Sequence, residues 1–367
     1  MISSMRLPAV RLAKRTFCGT QARGYAARAY VSKESPRHLM SIADLTPREL
    51  TKLVLNAADL KKTVKRAMSK YGMPKELGTP LAGQTVAMLF NKLSTRTRVS
   101  TEAAVAILGG HPMFLGKNDI QLGVNESLRD TSQVISSMTS CIVARVGDHS
   151  EIEGLAEHSS VPVINALSND FHPLQIIADF LTIHEAFPKS EPGRIAPKSL
   201  KIAWVGDANN VLFDFAIACM RLGVELSVAT PAGYRIPAQM LGFIKSQASP
   251  FEPGKLTETT KPTEAVENAD IIVTDTWISM GQEQETKKRL DDFRGFQVTE
   301  ELARTGAAKE NWKFMHCLPR HSEEVDDAVF YSPRSLVFAE AENRLWAALA
   351  VLQAFVVNKG EIEQSRI

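Results

Sequence analysis

The stretch TVAMLFNKLSTRTRVSTEAAVAILG, residues 85–109, joins an apolar run to a helical pattern through a polar turn. The run TVAMLF (85–90) is short and continuous, as is typical of a buried strand, and RVSTEAAVAILG (98–109) has the periodicity of a helix. Between them, residues 94–98 carry three hydroxyls and two guanidiniums. A buried strand followed by a helix is the repeating unit of a parallel sheet. The stretch therefore predicts an α/β fold with this polar turn at the carboxyl end of a strand.

The same alternation of strands and helices continues on both sides of this unit. A helix is predicted to start at Thr46, where Pro47 and a capping box with Glu49 mark the first turn, and to run to about Lys70. Further strands are predicted at CIVARV (141–146), VPVINA (161–166), LKIAWVG (200–206), VELSVAT (224–230), ADIIVTDTW (269–277) and WKFMHCL (312–318). Further helices are predicted from about Ser127, over 171–187, over 211–223 and over 340–357. Because both halves repeat the pattern, we expect an α/β fold of two domains, each a mostly parallel sheet flanked by helices, joined by interdomain helices.

A loop of linker composition, PKSEPGRIAPKS (188–199), separates the two halves. The expected parts are a presequence and linker (1–35), a first domain (36–185), a second domain (186–339) and a C-terminal helix that packs back on the first domain (340–367). Ligands of such folds bind at the carboxyl ends of the strands. The polar residues that follow the strands are therefore the candidates for a site.

Length and composition argue against two classes of protein. The chain has 367 residues, of which 44% are hydrophobic and 23% charged, as in ordinary globular proteins. No apolar run approaches the roughly 18–20 residues that span a bilayer, so no membrane is expected. The net charge of +2, without a basic stripe interleaved with aromatic residues, gives no reason to expect nucleic acid.

The first 33 residues have the composition of a mitochondrial presequence, because they are basic, contain hydroxyls and lack acidic residues. The first acidic residue is Glu34, and ARGYAA (22–27) resembles a matrix-peptidase site with a cut after Tyr25. The basic residues are Arg6, Arg11, Lys14, Arg15, Arg23, Arg28 and Lys33. This segment predicts import into the mitochondrial matrix; the alternative is a basic tail on a cytosolic protein.

Neither a metal nor a cofactor is expected. Apart from Cys18 in the presequence, the cysteines are Cys141, Cys219 and Cys317, an odd number without close spacing, which argues against disulfides and against a cysteine zinc site. The segment VGDANNVL (205–212) follows a strand but lacks the G-x-G-x-x-G pattern of a dinucleotide site. His321 lies near His316 and Cys317, but this spacing is not a usual one for a metal.

The turn STRTR (94–98) is a candidate anion site. At a helix start, free backbone N–H groups and the helix dipole favour negative charge, and arginine forks and hydroxyls add donors suited to phosphate. The alternative is a capped helix start with surface arginines.

Five motifs in order carry a resemblance to a known family. STRTR resembles the carbamoyl-phosphate loop of the aspartate and ornithine carbamoyltransferases. HPLQ (172–175), DTWISMGQE (275–283), HCLP (316–319) and EAENR (340–344) resemble the ornithine branch, and the match runs from about 37 to 357. The resemblance implies transfer of a carbamoyl group from carbamoyl phosphate, bound by the first domain, to the side-chain amine of ornithine, bound by the second. It also implies a homotrimer without a cofactor.

The resemblance implies which residues bind carbamoyl phosphate. The phosphate would be held by Ser94, Thr95, Arg96 and Thr97, while Arg98 either joins them or anchors the loop. The carbonyl oxygen would be contacted by Thr97, Arg145, His172 and Arg344, with Arg145 also on the phosphate. The carbamoyl NH₂ would be bound by Gln175 and by the backbone carbonyl of Leu318, and Gln121 would reach the phosphate site of a neighbouring subunit. Cys317 also belongs to the implied carbamoyl-phosphate-binding residues.

The resemblance also implies the residues of the amine side. Asn210, in preference to Asn209, would bind the α-carboxylate of ornithine, and Asp275 its α-amino group. Ser279 and Met280 would close over the substrate. Cys317 would contact the reacting amine and, with Asp275, orient it and take up its proton, directly or through the leaving phosphate. The catalytic residues implied are thus Arg145, His172, Asp275 and Cys317.

Other functions remain as alternatives. The amine could be aspartate, putrescine or an acylated ornithine, but aspartate would need basic residues where this chain has DTWISMG. Putrescine has no carboxylate for Asn210 to hold. A non-catalytic regulator that binds a phosphate ligand is the alternative from another class; the complete set of motifs argues against it.

Overall fold

Two parallel β-sheets form the framework of the chain. The computed structural model describes residues 35–363, except for 71, 73, 118–125, 188–190, 192 and 279–284. The first sheet contains β1 (Thr85–Phe90), β2 (His111–Gly116), β3 (Cys141–Arg145) and β4 (Val163–Leu167). The second contains β5 (Lys201–Val205), β6 (Glu225–Ala229), β7 (Lys255–Thr259), β8 (Ile271–Thr274) and β9 (Lys313–His316). All paired strands are parallel, which confirms the predicted α/β class.

Two strands, β2 and β7, were not predicted, and each lies at an edge of its sheet. The strand orders are β2-β1-β3-β4 and β7-β6-β5-β8-β9. Side chains along β2 and β7 alternate between exposed and half-buried, so HPMFLG and KLTET lack the continuous apolar run of the central strands. An edge position also explains how β2 accommodates Pro112.

Helices connect the strands and cover both faces of the sheets. Within the described residues, the α-helices are α1 (Pro47–Met68), α2 (Lys75–Gly78), α3 (Thr95–Ile107), α4 (Leu128–Met138), α5 (His149–His158), α6 (Pro173–Ala186), α7 (Asn210–Leu222), α8 (Ala238–Ser246), α9 (Pro262–Val266), α10 (Thr286–Asp292), α11 (Glu300–Thr305), α12 (Asp327–Phe330) and α13 (Val337–Leu352). No helix among these residues is long and apolar enough to cross a membrane.

The ends of three helices test the sequence signals. The predicted capping box of α1 is present, with Thr46 accepting from the backbone of Glu49 and Glu49 accepting in return. Helix α3 begins at Thr95 instead of 98, because its first turn is polar and gives no apolar periodicity. Helix α13 begins at Val337 instead of 340, and after Leu352 the chain continues as a π-helical turn, Gln353–Val357.

The main apolar core runs from one sheet to the other through α1, α6, α7 and α13. Phe180 of α6 packs on Phe215 of α7, with ring centroids 5.5 Å apart, and Trp204 of β5 lies 6.4 Å from Phe215. Val86, Met88 and Phe90 of β1 face this core, as the alternation of a strand requires. Because α6 and α13 are buried along most of their length, the polar residues they carry are held in fixed positions.

The strand orders place the candidate residues at two crevices. In the first sheet the chain leaves β1 for β2 on one side and then crosses to β3 on the other, so the order reverses between β1 and β3. In the second sheet it reverses between β5 and β8. Reversals of this kind open a crevice at the carboxyl ends of the strands, where ligands bind. The turn 94–98 and Arg145 lie at the first crevice, and Asn210 and Asp275 lie at the second.

Candidate active site

A cavity of about 1000 Å³ lies at the carboxyl ends of the strands. Every predicted site residue that the structure describes lines it. These residues are Ser94, Thr95, Arg96, Thr97, Arg145, His172, Gln175, Asn210, Asp275, Cys317, Leu318 and Arg344. The remaining predicted residues, Gln121, Ser279 and Met280, lie outside the described residues, as does the presequence up to residue 34.

The first turn of α3 forms one side of this cavity. The side chain of Ser94 caps the helix by accepting from the backbone N–H of Thr97 at 3.2 Å. Arg96 Nη2 donates to the carbonyl oxygen of Leu318 at 2.6 Å. The turn therefore places helix N–H groups, hydroxyls and one guanidinium at the cavity, and it is bonded to the segment that follows β9.

The side chain of Arg98 contacts Glu102 and Phe114 and does not line the cavity. Its Nε donates to Glu102 at 2.9 Å, and its guanidinium lies 3.7 Å from the ring centroid of Phe114 in β2. It is absent from the described residues that line the cavity. Of the two alternatives for this residue, the contacts fit the anchor of the loop, because Arg98 bonds within α3 to Glu102 and packs on Phe114 of the neighbouring strand β2.

Two further guanidiniums complete what we call the arginine wall, formed by Arg96, Arg145 and Arg344. Arg145 ends β3 and is 7% exposed, while Arg344 is on α13 and 3% exposed. Burial, and the neighbouring arginines, lower the pKa of Arg145 to about 10, and burial lowers the pKa of Arg344 to about 10. Both stay charged at neutral pH. Three adjacent cations with partly unused donors favour an anionic ligand with several charges.

His172 lies at the start of α6, beside the arginine wall. Its backbone N–H donates to Asp214 Oδ2 at 2.9 Å, which fixes the start of the helix. Burial, reinforced by Arg344, Arg145 and Arg96, holds the pKa of its imidazole well below the usual value. The ring is therefore neutral at physiological pH, and a neutral imidazole can donate a hydrogen bond from one nitrogen.

Gln175 lies one turn further along α6. Its Oε1 accepts from Arg344 Nη1, and its Nε2 donates to Asp179 Oδ1 at 2.7 Å and to Glu340 Oε1 at 3.2 Å. Arg344 also donates from Nη2 to the hydroxyl of Thr97 at 3.1 Å. Helix α13 thus connects α3 and α6 at the cavity.

The opposite side of the cavity, which we call the acidic wall, consists of Asp275, Cys317, Asn209 and Asn210. Asp275 Oδ1 accepts from Cys317 Sγ at 3.1 Å, and its Oδ2 accepts from Asn209 Nδ2 at 2.7 Å. Burial, together with the charge of Asp275, raises the pKa of the Cys317 thiol well above its usual value. Cys317 is therefore a thiol that donates to Asp275, and not a thiolate nucleophile.

The two asparagines have different contacts. The side chain of Asn209 caps α7 by accepting from the backbone N–H groups of Val211 and Leu212, at 3.0 and 3.2 Å. Asn210 Nδ2 donates to the carbonyl oxygen of Ser168 at 2.6 Å.

The backbone at Leu318 is unusual. Its φ of 63° lies in the left-handed region, where a leucine costs of order 1–3 kcal/mol. Its N–H donates to His316 Nδ1 at 2.8 Å, and His316 Nε2 lies 3.2 Å from Glu324. These bonds hold the backbone so that the carbonyl of Leu318 meets Arg96.

Sequence reasoning missed a buried ion pair behind the acidic wall. Asp207 accepts from Arg289, whose Nε also donates to the carbonyl oxygen of Trp277 at 2.6 Å. Burial raises the pKa of Asp207 to about 6, and Arg289 opposes that rise. The pair holds the segment 275–278 in place. The sequence signal was an acidic residue, Asp207, directly after the strand predicted at 200–206.

Two groups of described residues bring potential metal ligands within 4.8 Å of one another. They are Asp275, His316 and Cys317, and His321, Glu323 and Glu324. Hydrogen bonds already join their members, since Cys317 donates to Asp275 and His321 N–H donates to Glu324.

Fold and cavity together define an α/β protein with two parallel sheets and a site for a multiply charged anion beside an acidic region. Group transfer from a phosphorylated donor is the class of chemistry that such a site suits.

Comparisons with known proteins identify the family. The model "Aspartate/ornithine carbamoyltransferase, carbamoyl-P binding domain" matches residues 37–185, and "Aspartate/ornithine carbamoyltransferase, Asp/Orn binding domain" matches residues 198–355. The mitochondrial ornithine carbamoyltransferase of Coccidioides immitis is 65% identical over 335 residues, which is 89% of this chain and 95% of that protein. That of Emericella nidulans is 61% identical over 359 residues, or 95% and 99%.

Solved structures agree with this result. A mitochondrial ornithine carbamoyltransferase from Coccidioides immitis has a TM-score of 0.83 at 63% identity, covering 89% of this chain and 100% of that one. An ornithine carbamoyltransferase from Pyrococcus furiosus has a TM-score of 0.79 at 42% identity, covering 89% and 99%. The chain therefore belongs to the aspartate/ornithine carbamoyltransferase family.

Proposed function

We propose that this protein transfers the carbamoyl group of carbamoyl phosphate to the side-chain amine of L-ornithine, forming L-citrulline and phosphate, a step of arginine biosynthesis. The observation that carries the proposal is the pairing of opposite chemistries in one cavity, an arginine wall facing Asp275 and Cys317. The relatives at 61% and 65% identity bear the name of this activity.

The arginine wall binds the phosphate end of the donor. Arg96 and Arg145 contact the phosphate, and Ser94, Thr95 and Thr97 add hydroxyl and helix N–H donors. Two charges on the phosphate offset the repulsion among the buried guanidiniums, so the ligand stabilises the site that binds it. The same donors remain on the phosphate as it leaves.

The carbonyl carbon reacts beside His172, Arg344 and Arg145. As the amine nitrogen attacks this carbon, the carbonyl oxygen gains negative charge, which fixed donors in a buried site stabilise. Neutral His172 and the charged arginines supply these donors. The C–N bond forms, the bond from carbon to the phosphate oxygen breaks, and phosphate departs with the electron pair. Gln175 Oε1 and the carbonyl of Leu318 accept from the carbamoyl NH₂.

The acidic wall binds ornithine. Asn210 binds the α-carboxylate, Asp275 the α-amino group, and Ser279 and Met280 close over the substrate. The attacking amine must lose two protons, one before attack, because a free alkylamine is mostly charged near neutral pH, with a pKa of about 10, and one as the C–N bond forms. Cys317, a protonated thiol that donates to Asp275, orients the amine, and the two protons pass to Asp275 and to the leaving phosphate.

Assembly and domain division complete the proposal. The protein acts as a homotrimer in which Gln121 reaches the phosphate site of the neighbouring subunit, and it requires no cofactor and no metal. The proposed division at 36–185 and 186–339 is supported by the two family models, which match residues 37–185 and 198–355. The packing of 340–367 back on the first domain is supported by the hydrogen bonds from Arg344 to Thr97 and Gln175. The protein is mitochondrial, as its relatives are named, and the basic N-terminal segment fits action in the matrix.

The test is citrulline formation by the purified chain from residue 26 onward, with carbamoyl phosphate and ornithine. Parallel reactions contain putrescine, aspartate or N-acetylornithine as the amine. Product with ornithine alone is expected. Product with another amine instead would overturn the assignment of ornithine, and binding of carbamoyl phosphate without any product would point to a regulatory protein.

A further inference from the structure

We propose that Asp179 and Glu340 are positioning residues that hold the side-chain amide of Gln175 in one orientation, so that the cavity selects an acyl phosphate bearing an N–H group. The inference rests on the proposed function, because it concerns how the same cavity recognises carbamoyl phosphate. Neither carboxyl was predicted from the sequence, and neither is among the described residues that line the cavity.

Both ends of the Gln175 amide are bonded. Its Nε2 donates to one carboxyl oxygen of Asp179 at 2.7 Å and to one of Glu340 at 3.2 Å, while its Oε1 accepts from Arg344. In the reverse orientation, Oε1 would face two carboxyl groups and the NH₂ would face a guanidinium, which has no acceptor. The three neighbours therefore admit one orientation of the amide.

The two carboxyl groups are themselves held firmly. Asp179 is 3% exposed on α6 and Glu340 is 1% exposed on α13. Glu340 Oε2 also accepts from the backbone N–H of His316, at 2.9 Å, at the end of β9. Burial raises the pKa of both carboxyls, and Glu340 shares a hydrogen bond with Asp179 that favours the protonated form of Glu340. One retained proton avoids two like charges in contact.

This arrangement decides what the amide offers to a ligand. With Nε2 turned toward the carboxyls, Oε1 is the atom that Gln175 presents in the cavity, and the carbonyl of Leu318 is a second acceptor. Glu340 supports both acceptors, since it bonds Gln175 and also the backbone two residues before Leu318. A carbamoyl NH₂ can donate to both. The methyl group of acetyl phosphate, otherwise similar in shape, would leave both acceptors unpaired, which a buried site penalises strongly.

The experiment measures this selectivity. In the citrulline assay one determines the KM for carbamoyl phosphate and the inhibition constant of acetyl phosphate as its competitor. The ratio of the inhibition constant to the KM is the selectivity. In Glu340→Gln and in Asp179→Asn we expect this ratio to fall about tenfold or more, because the amide of Gln175 then loses one of the two carboxyl acceptors that oppose its reversal. The KM for carbamoyl phosphate should rise, while the inhibition constant of acetyl phosphate changes little.

Asp214→Asn is the matched control. Asp214 is a fully buried carboxyl too, but it accepts from the backbone N–H of His172 and not from Gln175. His172 lies beside the carbonyl oxygen that both acyl phosphates share, so this variant should weaken both ligands alike and leave the ratio unchanged. A purely structural effect of losing a buried carboxyl would instead change the ratio in all three variants.

The outcomes are separable. An unchanged ratio in folded Glu340→Gln and Asp179→Asn overturns the positioning role. If neither variant folds, as judged by thermal unfolding, Gln175→Ala decides, because a wild-type ratio without the amide would also overturn the inference. A wild-type protein that forms no citrulline overturns the proposed function instead.

Discussion

The arginine wall and the acidic wall respond differently to the same physical effect. Burial disfavours the charged form of any group. It lowers the pKa of Arg145 and Arg344 to about 10, which leaves both charged at neutral pH. It raises the pKa of Cys317, which leaves that group uncharged. Burial therefore produces permanent cations on one side and a neutral hydrogen-bond donor on the other, as transfer from an anionic donor to an amine requires.

The two walls also differ in how the chain builds them. The arginine wall stands on regular elements, the first turn of α3, the end of β3 and the buried helix α13. In the acidic wall, Asn209 and Asn210 begin α7. Asp275 and Cys317 lie on short segments that follow β8 and β9, and side-chain hydrogen bonds such as that from Arg289 to the carbonyl of Trp277 hold the segment after β8. Changes in the arginine wall should therefore act directly on phosphate binding, whereas changes in the acidic wall should act on the amine.

The largest effect is expected from Arg96→Ala. In the proposed mechanism Arg96 is a charged donor to the departing phosphate, so its loss should lower kcat/KM by about 10³-fold, measured as citrulline formation. Arg98→Ala is the matched control from the same motif, because Arg98 pairs with Glu102 and stacks on Phe114 outside the cavity. It should lower the thermal midpoint but keep most of the activity. Equal losses of activity in both folded variants would contradict the division between them.

Cys317→Ala should have the next largest effect. Without the thiol that donates to Asp275, the amine is less well oriented, and kcat should fall by about 10²-fold. The KM for carbamoyl phosphate should change far less, which stopped assays at saturating ornithine can measure. Cys219→Ala removes a buried cysteine of α7 away from the cavity and should leave kcat near the wild-type value.

Asn210→Ala sharpens the comparison within the acidic wall. Loss of a hydrogen bond to the charged α-carboxylate should lower kcat/KM for ornithine by about tenfold to a hundredfold. Any residual activity with putrescine, which has no carboxylate, should stay the same. If both amines lose activity equally, Asn210 acts through the bond it donates to Ser168 and does not contact the substrate.

The smallest expected effect is a pH dependence of stability. The pKa of His172 is lower in the folded than in the unfolded chain. In the unfolded chain the imidazole has a pKa of about 6.5 and becomes protonated below that pH, whereas the native imidazole stays neutral. The free energy of unfolding therefore decreases as the pH falls. At pH 5.5 this residue should therefore reduce the free energy of unfolding relative to pH 7.5, by on the order of 1 kcal/mol.

Urea unfolding of wild type and His172→Gln at both pH values measures this difference. His38 and His149, whose pKa values burial also lowers, contribute equally to both proteins. An identical pH dependence in the two proteins would show that the imidazole of His172 is accessible to protons in the native state.

The sequence predicted the features of the fold and of the candidate site that follow from buried apolar runs and from the spacing of motifs. The central strands were found because both of their faces are apolar, and the cavity residues were found because they follow those strands or belong to recognisable motifs. The edge strands β2 and β7 were missed, since a half-exposed strand carries no apolar run. The different roles of Arg96 and Arg98 could not be predicted, because both sit in the same motif and only the packing of α3 separates them.

For Asp179 and Glu340, the sequence showed that the residues were unusual but did not show what they contact. An acidic residue inside the apolar pattern IIADFLTI, and another in EAENR, were visible signals. Asp179 lies four residues after Gln175 on α6, but Glu340 lies 165 residues from Gln175, so the three side chains come together only once α6 and α13 have packed.

The bond between Arg96 and the carbonyl of Leu318 has a thermodynamic consequence. It joins two groups that, in the proposed complex, serve opposite ends of carbamoyl phosphate. Each group is thus already ordered and already close to the position in which it acts. Binding then exchanges partners among fixed groups instead of ordering mobile ones, which reduces the entropy lost on association. Folding of the segments 94–98 and 316–319 has therefore already ordered these groups, and the affinity for carbamoyl phosphate is correspondingly higher.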